Sequence, residues 1–351
     1  MKYSNYQEYL KIWIDILTPK QLLFSEPIVE RLEKKHELLC TSREYDEVSK
    51  LSKIRHFDLI FVGKHGGSDK KSKLKASIER IEKLSKKIKR FEPDLVISYG
   101  SPEAARISFG LGIKHIMFCD SPHANAVMRL TVPLIQKLLI PHVIPKKEFS
   151  KYGINEKNIV QYKAIDAVVT MKRKIEKNID SPFKNNNNKN ILIRVEEEEA
   201  AYTSKSSKII PIIQKIANDY KEENILVLAR YTKQIVNLQK TIGNKVKIVK
   251  MAFDGKNLLN NTDIFIGSGG TMTAESALMG VPTISYNAVP NIVENFLVKK
   301  YLVKRETNPS KISSHIKKIF ELKNNQNQKR AEIIVKQMED PIEKLMKIIK
   351  N

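Results

Sequence analysis

The run Gly267-Ser268-Gly269-Gly270-Thr271-Met272-Thr273-Ala274-Glu275-Ser276 is the most chemically informative stretch of the chain. Gly269 and Gly270 lack a Cβ, so the backbone there can come close to a phosphate, and a helix opening at this point aims its free N–H groups at an anion. The helix dipole favours that anion by roughly 0.3 to 1 kcal/mol, or about 2 when partly buried. Thr271 and Thr273 add hydroxyl donors, and Glu275, one turn into the helix, offers a carboxylate to a ribose diol. The spacing predicts a nucleoside-diphosphate site. An empty strand-to-helix turn in which Glu275 completes a capping arrangement is the plainer alternative. Arg194 and Arg230, each near a strand end, are candidates to face the phosphates, with surface salt bridges as their plainer role.

A second set of polar residues lies in the N-terminal half, each group just after an expected strand, where open α/β sheets bind ligands. Asp15 comes with Thr18, Lys20 and Gln21; Lys64-His65-Gly66-Gly67, Ser101-Pro102-Glu103 with Arg106, and Asp120-Ser121-Pro122-His123 follow later strands. His123 is the candidate general base, because its ordinary pKa is near neutrality and Asp120 can orient it. Asp15 is a third catalytic candidate, and His65 with Gly66 are further ligand-binding candidates. Loop and cap chemistry is the alternative for each group, most clearly for Ser101 as an N-cap with Pro102 at the first helical position. No His/Cys/Asp spacing suggests a metal site, and no zinc-finger or RNA-binding signature is present. The expectation is therefore no metal, no cofactor and no nucleic-acid partner.

Positioning these residues requires alternating strands and helices. Strands are expected at 11–17, 37–42, 58–63, 94–100, 114–120 and 166–171, and a second series at 191–196, 224–230, 246–251, 263–269 and 281–286. This alternation is the signature of βαβ units and parallel sheets. Between the strands, 70–90 places Leu74, Ile78, Ile81, Leu84 and Ile88 at helical spacing with Lys and Arg on the other faces, and 206–220 is a further helix. The asparagine-rich stretch 181–190 has no periodicity and reads as linker or surface loop. The predicted organisation is a Rossmann-like domain over 1–175, a linker over 176–190 and a second Rossmann-like domain over 191–351. The last helices pack back on the first domain. Two such halves imply a cleft for a ligand.

Size and composition agree with two globular domains: 351 residues, 41% hydrophobic and 29% charged. The opening MKYSNYQEYLKIWID lacks an apolar h-region, and 126–145 is interrupted by Arg129, Gln136, Lys137 and prolines, short of the ~20 apolar residues of a membrane span. Cys40 and Cys119 sit in apolar runs and are expected as free thiols. These features predict a cytoplasmic protein. The 62 Lys and Arg against 39 Asp and Glu give a net charge of +23, which attracts anionic partners and adds peripheral contact with a membrane to the expectations.

The run SGGTMTAESALMGVP resembles the nucleotide-sugar signature of glycosyltransferase-B (GT-B) proteins at Gly269, Gly270, Thr271, Thr273, Glu275, Gly280 and Pro282. That resemblance implies two Rossmann-like domains facing a cleft, with the turn on the donor diphosphate and Glu275 on the ribose. Taken with WIDILTPKQLLFSEPIVERL, GKHGG, KLKAS, SPEAARISFGLGI and DSPHA, the pattern from about residue 11 to 290 resembles the family called domain of unknown function 354. The resemblance implies a nucleotide-sugar-binding enzyme, with metal-independent glycosyl transfer to a lipid-linked or polysaccharide acceptor as the first reading. A nucleotide-sugar 2-epimerase is the alternative, although the Gly-Asp-Thr and His-x-Glu-Ala-Gly stretches of such enzymes are replaced here by Tyr99-Gly100-Ser101-Pro102 and Phe118-Cys119-Asp120-Ser121-Pro122. A non-catalytic protein with a basic binding surface is the second alternative. The transferase reading has its own mismatch, since DILTPKQ lacks the glycine-rich loop often found after the first strand of membrane-linked relatives.

Overall fold

A computed structural model describes residues 9–67, 69–175, 181–184, 186–196, 209–229, 232–250, 255–286, 291–322 and 325–350, with the side chains of Lys233 and Lys250 outside the description. The chain divides into two compact units, one comprising residues up to Val169 together with those from Glu339 onward, the other Thr170–Met338.

The first unit carries strands β1 (Lys11–Asp15), β2 (Glu37–Glu44), β3 (Ile60–Lys64), β4 (Leu95–Ser98), β5 (Lys114–Phe118), β6 (Lys137–Pro141) and β7 (Ile159–Tyr162). They form one sheet in the order β3-β2-β1-β4-β5-β6-β7, with every pair parallel. Parallel strands need crossovers, supplied by α1 (Pro19–Leu32), α2 (Asp46–Ile54), α3 (Lys70–Phe91), α4 (Pro102–Leu111), α5 (Asn125–Thr131) and the short α6 (Lys147–Ser150). Helices on both faces bury the central strands, which is why β1 and β4 read as near-continuous apolar runs. One face of the core gathers Trp13, Leu39, Val62, Leu84, Ile88, Val96 and Ile107. The indole of Trp13 donates to Thr41 Oγ1 at 2.7 Å, so its one polar atom is satisfied inside.

The helix starts follow their sequences. Ser101 Oγ accepts from the Ala104 N–H at 3.2 Å with Pro102 opening α4, and Gly112, at φ 70°, ends it. Asp69 caps α3 through the Ser72 N–H at 2.8 Å. Thr18 caps α1 through the Gln21 N–H at 3.3 Å.

The second unit has β8 (Asn190–Arg194), β9 (Asn224–Ala229), β10 (Lys247–Lys250), β11 (Ile264–Gly267), β12 (Thr283–Ser285) and β13 (Lys304–Arg305), ordered β10-β9-β8-β11-β12-β13 and again all parallel. Helix α7 (Ala167–Lys172) runs into this unit, which contains α8 (Ile209–Asp219), α9 (Thr232–Ile242), α10 (Gly255–Asn260), α11 (Thr271–Leu278), α12 (Ile292–Lys299), α13 (Pro309–Glu321) and α14 (Gln326–Lys336). Isoleucines of β8, β11, α8 and α13 dominate its core. The last helix, α15 (Pro341–Lys350), belongs to the first unit, where Arg31 of α1 forks between Asp340 and Glu343, both at 2.7 Å.

One expected strand is a helix. Residues 167–171 fall on α7 and Asp166 in the turn before it, only four residues after β7, far too short a connection for a parallel crossover. A short apolar run such as DAVVTM does not declare its own period. Conversely, β6, β7 and β13 are not evident in the sequence, because the few residues of β6 and β7 lie among prolines and polar turns and β13 has only two residues.

Candidate functional site

In each unit, the order in which strands are added reverses beside the first strand, between β1 and β4 and between β8 and β11. Open parallel sheets bind ligands at the carboxyl ends of the strands around such a reversal. The turn after β11 lies at this place in the second unit. Gly269, at φ +94°, takes a left-handed conformation that side chains resist, and a Cβ there would lie 3.0 Å from Glu294 Cδ. Its N–H donates to Thr273 Oγ1 at 3.2 Å, and its carbonyl accepts from Asn291 Nδ2 at 2.9 Å. Gly267 is equally constrained, since a Cβ would lie 2.6 Å from Thr273 Oγ1 and 2.5 Å from the Phe265 ring.

Gly270 differs. It is exposed, it is the N-cap of α11 with no side-chain cap, and a Cβ at this position would meet nothing within 4 Å. Among the described residues no acceptor is bonded to the N–H groups of Gly270, Thr271 or Met272, while the Ala274 N–H already bonds Gly270 O at 3.2 Å. The turn is thus fixed from behind, and its open face presents three amides of the positive helix end to an anion.

The remaining candidates of this unit are placed as follows. Thr271 is half-buried at the first helical position, whereas Thr273 is buried with its hydroxyl holding the turn. Glu275 is buried, with Oε1 3.5 Å from Arg173 Nη1. Arg194, at the end of β8, is buried and directs Nη1 to the Leu228 carbonyl at 3.5 Å. Arg230 lies outside the described residues. Under the turn, the Tyr286 hydroxyl donates to Glu196 Oε2 at 2.7 Å and also bonds the Ser268 side chain.

In the first unit the structure builds two networks. Asp15 is fully buried and accepts from Arg80 Nη2 at 2.6 Å and Nη1 at 3.1 Å, from Thr41 at 2.6 Å and from Ser101 at 2.6 Å. Burial raises its pKa, but the Arg80 guanidinium and these hydrogen bonds outweigh it and hold the carboxyl below the ordinary value. Glu103 Oε2 lies 3.5 Å from Arg80 Nη1. Every Asp15 partner is a residue of the core or of a helix start, so this network braces β1, β2, α3 and α4 together.

The other network centres on Lys20, in the first turn of α1. Its Nζ is 2.5 Å from Asp120 Oδ2, 3.1 Å from Asp166 Oδ2 and 2.8 Å from the Tyr99 hydroxyl, over whose ring it also sits at 4.5 Å. Tyr99 and Tyr162 both donate their hydroxyls to Asp166. Gln21 ties the loop to the next strand, donating to the Tyr99 carbonyl at 2.7 Å and accepting from the Leu17 N–H at 2.6 Å. These residues follow β1, β4, β5 and β7, on the carboxyl edge beside the strand-order reversal.

The two carboxylates differ electrostatically. Burial raises both; Lys20 and Ser121 overcome it at Asp120 and hold that carboxyl low, whereas at Asp166 burial wins and its pKa is raised. Burial opposes the charge on Lys20, but the two aspartates override it and keep the ammonium protonated. His123 is exposed at the edge of the group; desolvation by its surroundings lowers its pKa, only partly offset by the Asp120 charge and reinforced by Lys20. The structure therefore brings Asp120 and His123 together, adds Lys20, Asp166, Tyr99 and Tyr162, and assigns Asp15 to the separate Arg80 network.

His65 and Gly66 stand at the far edge. The His65 ring stacks on Tyr45 at 5.0 Å and its Nδ1 accepts from the Gly67 N–H at 3.1 Å. Gly66 abuts the first turn of α3, where a Cβ would lie 2.5 Å from Lys73 Cα. β3 is four strands from β5 in the sheet, and at about 4.8 Å per strand this sets His65 roughly 19 Å from the Asp120 group. Among the described residues there is no group of three His, Cys, Asp or Glu arranged to hold a metal ion. Burial pushes both cysteine thiols up to about 12, so neither is a reactive thiolate at neutral pH.

A family model described as "Protein of unknown function (DUF354)" matches residues 10–351. The chain belongs to that family. This DUF354 chain is similar in sequence to an uncharacterized protein of Methanocaldococcus jannaschii, 29% identical over 353 residues, covering 97% of this chain and 98% of the other. Among solved structures, the fold is similar to UDP-GlcNAc 2-epimerase from Neisseria meningitidis bound to UDP-GlcNAc, with a TM-score of 0.74, 16% identity and coverage of 97% and 100%. It is also similar to MurG from Acinetobacter baumannii, with a TM-score of 0.52, 12% identity and coverage of 97% and 99%. At such identities the likeness shows the fold, and the two parallel-sheet units of this DUF354 protein are of the GT-B type.

Proposed function

We propose that this protein is an enzyme of nucleoside-diphosphate sugars, transferring the glycosyl group to an acceptor hydroxyl. The observation that carries the reading is the start of α11, where Thr273 and Asn291 fix Gly269 while Gly270, Thr271 and Met272 offer N–H groups on an open glycine face. A diphosphate there accepts charge-assisted hydrogen bonds. Breaking the bond from the anomeric carbon to the diphosphate builds negative charge on the departing oxygens, and donors already aimed at that point stabilise it without reorganising. The N. meningitidis epimerase with its bound UDP-GlcNAc, alike in fold, supports the substrate class.

Transfer also needs a base for the acceptor hydroxyl. His123, with its lowered pKa, is neutral at pH 7, and Asp120, kept ionised by Lys20, stabilises the imidazolium that forms as the proton arrives. Lys20 itself stays charged and serves as an electrostatic anchor.

A second reading, epimerisation of the sugar, is favoured by one observation: Asp120 and Asp166 share Lys20 yet have pKa values pushed in opposite directions. Inversion at carbon needs one group to take a proton and another to supply one, and carboxyls held apart in this way are suited to it.

The two readings separate when nucleoside-diphosphate sugars are incubated with the protein in deuterated water and followed by NMR. Release of nucleoside diphosphate that depends on an added acceptor alcohol supports transfer. Deuterium entering the sugar ring without net loss of the donor supports epimerisation. A panel of donors that shows neither, with and without acceptors, overturns the enzyme reading.

A further inference from the structure

Helix α3 leaves an apolar stripe in solvent. Leu74 and Ile78, one turn apart on the same face, are 63% and 58% exposed, although Leu84 and Ile88 of the same helix are fully buried. Residues 70, 71 and 75, all lysines and all exposed, flank that stripe in the first turns. The face carries two acids, and each is paired with a lysine one turn away: Glu79 with Lys75 at 4.0 Å and Glu82 with Lys86 at 2.9 Å. Lys70, Lys71, Lys83, Lys89 and Arg90 have no carboxylate within ion-pair distance among the described residues, so the helix presents a net positive surface around two aliphatic side chains. The helix also begins just after β3, so its lysine-rich first turn lies on the carboxyl edge of the sheet that carries Lys20 and Asp120.

We propose that this face of α3 docks on an anionic lipid bilayer. The charge pattern selects the partner: lysines reach the headgroup phosphates while the aliphatic pair enters the acyl boundary beneath them. Phosphates of nucleic acid would use the lysines and leave Leu74 and Ile78 wet, and a second copy of this chain would bring an equally positive face against it. Docking here places the carboxyl edge of the first unit close to the membrane plane, which suits an acceptor carried on a lipid. The docking itself does not depend on the nucleotide-sugar reading.

The test is co-sedimentation of the full chain with vesicles of phosphatidylcholine alone and of phosphatidylcholine with phosphatidylglycerol. It is run for the wild type, for Leu74→Ser with Ile78→Ser, and for Lys70→Gln with Lys71→Gln and Lys75→Gln. Circular dichroism checks the fold of each variant; all five positions are exposed, so native spectra are expected. The proposal expects binding to the anionic vesicles only, weakened about tenfold or more by either set of substitutions and by high salt. Absence of binding to anionic vesicles overturns it, as does binding that both variants retain. Self-association in gel filtration that the Leu74/Ile78 variant abolishes, or binding of duplex DNA in place of vesicles, overturns it as well.

Discussion

Asn291 donates from Nδ2 to the carbonyl of Gly269 at 2.9 Å, while its own Oδ1 accepts from the Glu294 N–H at 2.8 Å. A single side chain thus caps α12 and latches the glycine turn that opens α11. With the Gly269 N–H held by Thr273 from the other side, the orientation of the next peptides is set before any ligand arrives, the preorganisation on which anion sites depend.

That latch makes two neighbouring glycines respond differently. Gly270→Val adds atoms to open space in front of the helix, so stability should stay within about 0.5 kcal/mol while nucleotide affinity falls. Gly269→Ala must hold an alanine at φ +94° against Glu294, and should lose about 1 to 2 kcal/mol or more in urea unfolding.

Lys20 keeps Asp120 ionised. In Lys20→Met the Asp120 carboxyl loses the cation that opposes its burial, so its pKa rises and the acid limb of a kcat/KM profile moves to higher pH. Lys20→Arg, which keeps the charge, should restore most of the limb. A profile unmoved by Lys20→Met would detach Asp120 from the reaction.

The Asp15–Arg80 pair is expected to be structural. Arg80→Met leaves a buried carboxylate with only hydroxyl donors and should cost about 3 to 5 kcal/mol of stability. Adding Asp15→Asn should recover part of that loss, read as a non-additive double-mutant cycle in chemical denaturation.

His115 supplies a pH dependence independent of catalysis. It is fully buried between Ser98 Oγ at 2.8 Å and Ser108 Oγ at 2.9 Å, and burial depresses its pKa to about 3, only slightly opposed by Asp15. The folded value lies below the unfolded one of 6.5, so the stabilisation is present above pH 6.5 and is lost as pH falls toward 3. Unfolding free energy should drop by up to about 1.4 kcal/mol per pH unit through that window, and His115→Gln should flatten the slope.

Local chemistry was legible in the sequence where it depends on neighbours in the chain. The glycine turn, the Ser101 cap followed by Pro102, the amphipathic α3 and the closeness of Asp120 to His123 all arise within a few residues. What depends on strand order was not. Lys20 meets Asp120 and Asp166 across 100 and 146 residues, which only the sequence β1-β4-β5-β6-β7 in the sheet brings about. Asp166 was further hidden by reading 166–171 as a strand. Arg80 resembled the other basic residues of α3, and nothing local marks it as the one that turns inward to Asp15. Asn291 and Glu294 reach Gly269 only through the parallel pairing of β11 with β12. Of the two carboxyls that share Lys20, Asp120 lies in the Phe118–Pro122 stretch, whereas Asp166 comes from the loop after β7, outside both stretches named in the sequence.

The most direct test of the account is a thermal-shift titration of the wild type and Gly270→Val with nucleoside diphosphates and their sugars. A ligand at 100 times its Kd stabilises the native state by about 2.7 kcal/mol, which is readily seen as a rise in Tm. At least one nucleotide sugar is expected to raise the Tm of the wild type and to leave that of Gly270→Val unchanged. If no nucleotide sugar shifts the wild type, or if both proteins shift alike, the start of α11 is not a diphosphate site and the central claim fails.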